Sequence, residues 1–231
     1  MKGAPALGAL EEEIAACRAC PRLAAWREEV ARVKRRAYRG CEYWGRPVPG
    51  FGDPRPGGLY VLGLAPGAHG ANRTGRMFTG DRSGDFLYAA LHRHGYASRP
   101  ESRSRDDGLC LNGAYLSNAA RCAPPGNRPS QEELRRCSPF LDRELRLVRP
   151  GVILALGAIA WQGALGALER AGCALPRPRP AFGHRALLRL AGAPPVLGSY
   201  HVSQQNTQTG RLTAAMFDGV LALARELGAS P

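Results

Sequence analysis

Leu59-Tyr60-Val61-Leu62-Gly63-Leu64 is a short apolar run that breaks into the turn Ala65-Pro66-Gly67. Far downstream, Pro195-Val196-Leu197-Gly198-Ser199-Tyr200 opens in the same way into His201-Val202-Ser203. Short runs that are apolar without alternation read as strands buried on both faces of a parallel sheet. In one parallel sheet, the two following segments leave from the same carboxyl edge, where open α/β sheets place their ligands. Runs 114–119 and 152–157 have the same character. Ser83 to Gly95, Ser130 to Val148, Ala158 to Ala171 and Arg211 to Leu227 carry apolar residues at helical spacing instead. Ser130 with Glu133 fits a capping box at the start of one of them. Strands alternating with helices predict an α/β fold: a three-layer α/β/α sandwich around a central, mostly parallel four-stranded sheet.

Outside this pattern, residues 8–38 read as one helix that ends in a basic stretch, Arg32 to Arg39. A Gly/Pro-rich connector at 45–58 leads to the first strand, and 97–109 and 174–193 read as surface loops. A chain of 231 residues suits one sizeable core, so 1–231 is expected to form a single domain and to act as a monomer. Lys and Arg number 32 against 19 acidic residues, a formal charge of +13, which suits a polyanionic partner. A GC-rich genome would also raise the arginine content, so charge alone does not name that partner. No apolar stretch reaches 18 residues, and the acidic, Ala-rich start lacks the form of a signal peptide. The expected location is cytoplasmic, at the nucleoid, with no membrane contact.

Seven cysteines in a reducing compartment argue for metal binding over disulfides, since the count is odd and thiols stay reduced there. Cys17 and Cys20 form a C-x2-C pair, and Cys122 and Cys137 are the other two at suitable spacing. Four thiolates could hold tetrahedral zinc or an iron–sulfur cluster, and spacing leaves both open. Cys41, Cys110 and Cys173 have no partner at ligand spacing and read as structural, with Cys41 the most exposed of the three.

The first turn continues as Gly67-Ala68-His69-Gly70-Ala71-Asn72-Arg73-Thr74-Gly75-Arg76-Met77-Phe78-Thr79-Gly80-Asp81, and the second as Ser203-Gln204-Gln205-Asn206-Thr207-Gln208-Thr209-Gly210. These two motifs in this order, with the four cysteines and the run Cys122-Ala123-Pro124-Pro125-Gly126-Asn127-Arg128, resemble the uracil-DNA glycosylase superfamily, specifically its iron–sulfur family 5. The resemblance runs from Cys17 to about Leu227. It implies a DNA glycosylase that flips uracil or a related damaged base from double-stranded DNA and hydrolyses its glycosidic bond. It also implies a [4Fe–4S] cluster on Cys17, Cys20, Cys122 and Cys137.

Hydrolysis of an N-glycosidic bond needs an extruded base, a grip on its face and edge, and help for the charge it takes on leaving. Phe78, between Gly75 and Gly80, offers a ring for stacking. His201, just past a strand, can donate to a uracil oxygen as it becomes anionic. Asn118, at another strand end, carries a donor and an acceptor that complement the uracil edge. Related family 4 enzymes use an Asn there, though family 5 does not fix it, and a turn-forming role is the alternative. Asn127, in the Pro-Pro-Gly-Asn turn, is a second candidate for orienting water or phosphate.

Many superfamily members place a polar residue after Gly67 to activate water. Here Ala68 stands in its place, as in family 5, so no general base can be read there. Asp81 is the nearest acid, able to stabilise the sugar cation or orient water, or else to cap the next helix. Backbone amides of Gly67 and Ala68 can bind a base edge or a phosphate. Gln204, Gln205, Asn206 and Thr207 are expected to enter the minor groove. Lysine occurs only at Lys2 and Lys34, outside the motifs, so no amine nucleophile is apparent and the activity would be monofunctional. The competing reading is a non-catalytic iron–sulfur protein that recognises lesions or junctions.

Overall fold

The structure, a computed structural model, describes residues 4–228. Lys2 and both ends of the 1–231 unit lie outside them. The first two helices are α1 (Ala4–Ala16) and α2 (Pro21–Val33), where the sequence suggested one helix over 8–38. Pro21 is the cause: it lacks the N–H that would continue α1, yet suits the first turn of a new helix. The break leaves Cys17 and Cys20 in the short link between the two helices.

The sheet has six strands rather than four. In chain order these are β1 (Phe51–Gly52), β2 (Leu59–Gly63), β3 (Ala114–Asn118), β4 (Val152–Leu156), β5 (Leu187–Leu188) and β6 (Val196–Ser199). Their spatial order is β1-β3-β2-β4-β6-β5. The four expected strands are the parallel centre, and two-residue antiparallel strands close each edge. The edge strands fall in the connector and in the expected loop 174–193, and two residues are too few to show a period. β2, β3, β4 and β6 are buried throughout, as strands covered on both faces must be.

The remaining helices are α3 (Ala71–Thr74), α4 (Arg82–Arg93), α5 (Gln131–Val148), α6 (Ala158–Arg170), α7 (Gln204–Gln208) and α8 (Ala214–Gly228). Leu87, Leu91, Phe217 and Val220 of α4 and α8 pack on Val61, Leu116 and Leu154. The opposite face, with Tyr60, Leu62 and Ile153, meets Leu10 and Ile14 of α1, Leu141 of α5 and Trp161 of α6. Alternate strand residues thus feed two apolar layers, and the chain is an α/β/α sandwich. No described helix is long and apolar enough to cross a membrane.

α5 carries the expected capping box: Glu133 N–H donates to Ser130 Oγ at 3.1 Å and Ser130 N–H to Glu133 Oε2 at 2.7 Å. Pro139 inside α5 cannot donate to the Arg135 carbonyl, and Ser138 Oγ donates to it instead at 3.0 Å. Ser130→Ala is expected to cost about 1 kcal/mol, seen as a melting shift of roughly 2–4 °C for a chain of this size. An unchanged melting curve would show that the cap is redundant.

One buried network was not legible in the sequence. Arg121, just past β3, donates to Glu144 of α5 at 2.8 and 3.2 Å and to Ser117 Oγ at 2.5 Å. Both ionic partners are fully buried. Tyr60 and Tyr115 donate to the same carboxylate, so its lone pairs are used. Burial opposes the Arg121 charge, but Glu144 outweighs it and holds the guanidinium protonated.

Candidate functional site at the carboxyl edge

β2, β4 and β6 run parallel, so the segments after Gly63 and after Ser199 do leave from one edge. The strands flanking β4 stand roughly 10 Å apart, a gap that side chains from both segments can line. The chain visits β3 on one side of β2 before β4 on the other, so the edge here is a topological switch point.

Gly63 ends β2 opposite Asn118 of β3. A Cβ on Gly63 would overlap both the Asn118 side-chain oxygen and the Phe78 ring, so glycine is what lets these two groups meet. Phe78 is held at φ +52°, in the left-handed region, with its ring packed inward rather than standing free. Asn118 is buried, and its Nδ2 donates to Met77 Sδ at 3.0 Å. Its Oδ1 has no hydrogen-bond partner among the described residues. A buried amide oxygen left unsatisfied costs about 1–3 kcal/mol, which a donor bound there would recover.

The Phe78 loop is braced from behind by a segment that the sequence suggested was only a surface loop. Arg76, buried, grips Asp107 through two bonds of 2.6 and 2.9 Å and reaches Ser102 Oγ at 2.8 Å. Thr79 Oγ1 meets Ser102 Oγ at 2.7 Å, and Tyr88 donates to the Met77 carbonyl at 2.9 Å. Burial would raise the Asp107 carboxyl, but Arg76 and the N–H groups of Leu109, Arg103 and Ser104 hold it well below the usual carboxylate range. Neither Gly63 nor Arg76 was singled out from the sequence. A glycine closing a buried strand just before a motif was the available signal.

Asp81 takes the capping role weighed for it, and its second carboxylate oxygen faces the first turn. Its Oδ1 accepts from Gly84 N at 3.1 Å and caps α4. Its Oδ2 lies under the Gly67–Gly70 turn, where a Cβ at Gly70 would overlap it and one at Gly67 would approach to 2.7 Å. Burial raises its pKa, partly offset by the N–H groups of Gly84 and Ser83. Ala68 and Gly67 line the mouth of this turn, partly exposed. Asn72 closes it from below, its N–H bonded to the Gly67 carbonyl at 3.0 Å.

His201 lies against Gly157, the turn after β4, with 3.5 Å between its Cβ and a Cβ built on the glycine. Its ring has no hydrogen-bond partner among the described residues, and burial lowers its pKa to about 4, so the imidazole is neutral near pH 7. Asn206 donates to the His201 carbonyl at 2.8 Å and fixes the loop. The expected polar loop after it is the short helix α7: Gln204 and Gln205 point out, while Thr207 bonds back to Ser203 and Gln204. Asn127 is exposed in a 3-10 turn at φ +57°, which the turn itself explains, and it touches none of the groups above.

Cys17, Cys20, Cys122 and Cys137 line one small pocket, together with Arg27, Arg121 and Phe140. Arg27 Nη1 donates to Cys122 Sγ at 2.9 Å, and the Arg121 N–H to Cys137 Sγ at 3.3 Å. Burial pushes Cys137 up to about 12 and raises Cys20 and Cys122 as well. Inward N–H donors suit sulfurs that carry charge. Among the described residues, no three His, Cys, Asp or Glu side chains converge closely enough for a single ion. Four cysteines around one site, with N–H donors turned to two of the sulfurs, are a donor set that fits an iron–sulfur cluster. Of the other cysteines, Cys110 is the exposed one, not Cys41.

The fold is an α/β/α sandwich with the Gly67–Asp81 and His201–Gly210 segments leaving one carboxyl edge at the switch point. The profile of the uracil DNA glycosylase superfamily matches residues 49–225. The chain is 54% identical over 227 residues to the type-5 uracil-DNA glycosylase of Mycobacterium bovis, covering 97% of this chain and 83% of that protein. Against the type-5 uracil-DNA glycosylase of Thermus thermophilus it is 53% identical over 220 residues, with 95% and 97% covered. A type-4 uracil-DNA glycosylase of Pyrobaculum aerophilum shares 32% over 130 residues, with 56% and 58% covered. The chain belongs to the uracil-DNA glycosylase superfamily, and its near full-length likeness is to the type-5 enzymes.

Proposed function

We propose that this protein is a monofunctional DNA glycosylase that takes uracil out of double-stranded DNA and hydrolyses its glycosidic bond, leaving an abasic site. The observation that carries the reading is the unsatisfied Asn118 oxygen beside the Phe78 ring over Gly63. A flipped uracil supplies what that site lacks: a flat face for the ring, an N3–H for Oδ1, and an O4 that replaces Met77 sulfur, a weak acceptor, as partner of Nδ2. Cytosine presents the opposite pattern at both positions, so the same amide rejects it. Neutral His201 donates to O2 as charge gathers on the leaving base. Asp81, with one oxygen free of the cap, orients water or steadies the sugar cation, and the Gly67 and Ala68 amides hold base or phosphate. The small side chain of Ala68 leaves room for hydroxymethyluracil, ethenocytosine or hypoxanthine.

Cys17, Cys20, Cys122 and Cys137 are the residues that would hold a [4Fe–4S] cluster. Bound there, it supplies iron–thiolate bonds that tie the α1–α2 link to the segment running from β3 into α5, and so joins the N-terminal helices to the sandwich as one unit. Gln204 and Gln205 fill the gap in the duplex, while Asn206 and Thr207 hold α7 in place.

The test is a single-turnover assay on a uracil-containing duplex, with the product checked as an alkali-labile abasic site and for the absence of a borohydride-trapped adduct. Tight binding without cleavage would favour the non-catalytic reading. Asn118→Asp loses the donor to O4 and sets a carboxylate against that oxygen. Uracil excision is expected to fall about ten- to a hundredfold. An unchanged rate would remove Asn118 from recognition.

A further inference from the structure

We propose that Arg35, Arg36, Arg39 and Arg46 form a second DNA-backbone site, a cationic ridge that holds the duplex on the β3 side of the pocket, opposite α7. Residues 32–46 hold six basic residues and one acid, Glu42. All four arginines are exposed, and none forms an ion pair or donates a side-chain hydrogen bond among the described residues. Some other surface arginines are paired, as Arg135 and Arg136 are with Glu132 and Arg170 with Asp142, while others such as Arg82, Arg146 and Arg149 are not among the described residues, so what sets these four apart is their grouping within residues 35–46 and their attachment to the site. Unpaired like charges crowded together repel one another and are relieved by a polyanion.

The ridge is fastened to the site. Trp44 N–H and Gly45 N–H donate to the Arg73 and Asn72 carbonyls at 2.9 and 3.0 Å, and Val48 N–H to the Arg121 carbonyl at 2.7 Å, just past β3. The Arg73 guanidinium stacks on Tyr38 at 4.2 Å and donates to the His69 and Gly80 carbonyls, so the ridge rests on the pocket's own loops. Tyr43 OH meets His69 Nδ1 at 3.0 Å, a second fastening. The lowered pKa of His69 comes first from burial and next from the nearby charges of Arg35 and Arg73. β3 and β6 lie at the two ends of the four parallel strands, so the ridge, fastened beside the end of β3, and α7, which follows β6, flank the site from opposite sides.

The inference rests on DNA being the partner, and its test uses uracil-free duplex so that it is separable from excision. The salt dependence of Kd is measured for the intact protein, for Arg35→Ala/Arg36→Ala/Arg39→Ala, and for the control Arg146→Ala/Arg149→Ala at the opposite, amino edge of the sheet. The ridge variant is expected to weaken binding about tenfold or more at low salt and to flatten the log–log slope by roughly 2 to 3, since each lost phosphate contact removes about 0.9. The control is expected to keep the slope, and single-turnover excision at saturating DNA is expected to be unchanged in both variants. An unaltered slope in the ridge variant, or an equal loss in the control, overturns the proposal. A protein that fails to excise uracil but shows the slope change would sink the catalytic reading and leave the ridge standing.

Discussion

His201→Ala should slow single-turnover excision of uracil by about a hundred- to a thousandfold, with duplex affinity nearly unchanged. The imidazole meets charge that exists only as the glycosidic bond breaks, so its removal costs the transition state and not the bound ground state. Loss of one such donor in a preorganised site has that magnitude. Because burial lowers its pKa to about 4, the ring acts as a neutral donor, and the excision rate should show no His201 limb near pH 6.5. A stability effect follows with a definite sign. The folded pKa lies below the unfolded value of about 6.5, so stability is full above pH 6.5 and falls as pH drops from there towards 4, where the buried ring must charge. Normal excision by the alanine variant would return His201 to a purely structural residue.

Cys137→Ala should lose the cluster, and with it the link between the N-terminal helices and α5. Metal binding to such a site is folding free energy, so a loss on the order of 4 kcal/mol is expected, about 10 °C in melting temperature at this chain length. The anaerobically purified protein should be brown and hold about four irons, and the variant should be colourless with poor soluble yield. Colourless intact protein holding one zinc would overturn the assignment. Because Cys137 lies beside Arg121 rather than beside Phe78 or His201, any folded fraction of the variant should keep its excision rate better than His201→Ala does.

The four central strands were legible because strands covered on both faces are predominantly apolar, and 59–64, 114–119, 152–157 and 195–200 are so within a residue of the observed ends, with Ser117, Asn118 and Ser199 as polar exceptions. The capping box at Ser130 was legible because its chemistry is local, completed within four residues. The two edge strands escaped notice since a two-residue strand takes its partner, not its pattern, from a neighbour. The single N-terminal helix was an error of the same kind: the spacing is helical on both sides of Cys17 to Cys20, and only Pro21 marks the break.

By itself, the sequence determined that this chain is an α/β protein with two loops at one carboxyl edge, because residue type and period act over a few positions. Only the tertiary structure decided how the first of those loops is held. Phe78 reaches Asn118 because Gly63, fifteen residues earlier, has no side chain, and Phe78 is held there because Arg76 finds Asp107 across a loop with no periodicity to read. Ion pairs and steric vacancies of this kind join residues by position in space, and in one chain read alone nothing in their spacing announces the partner.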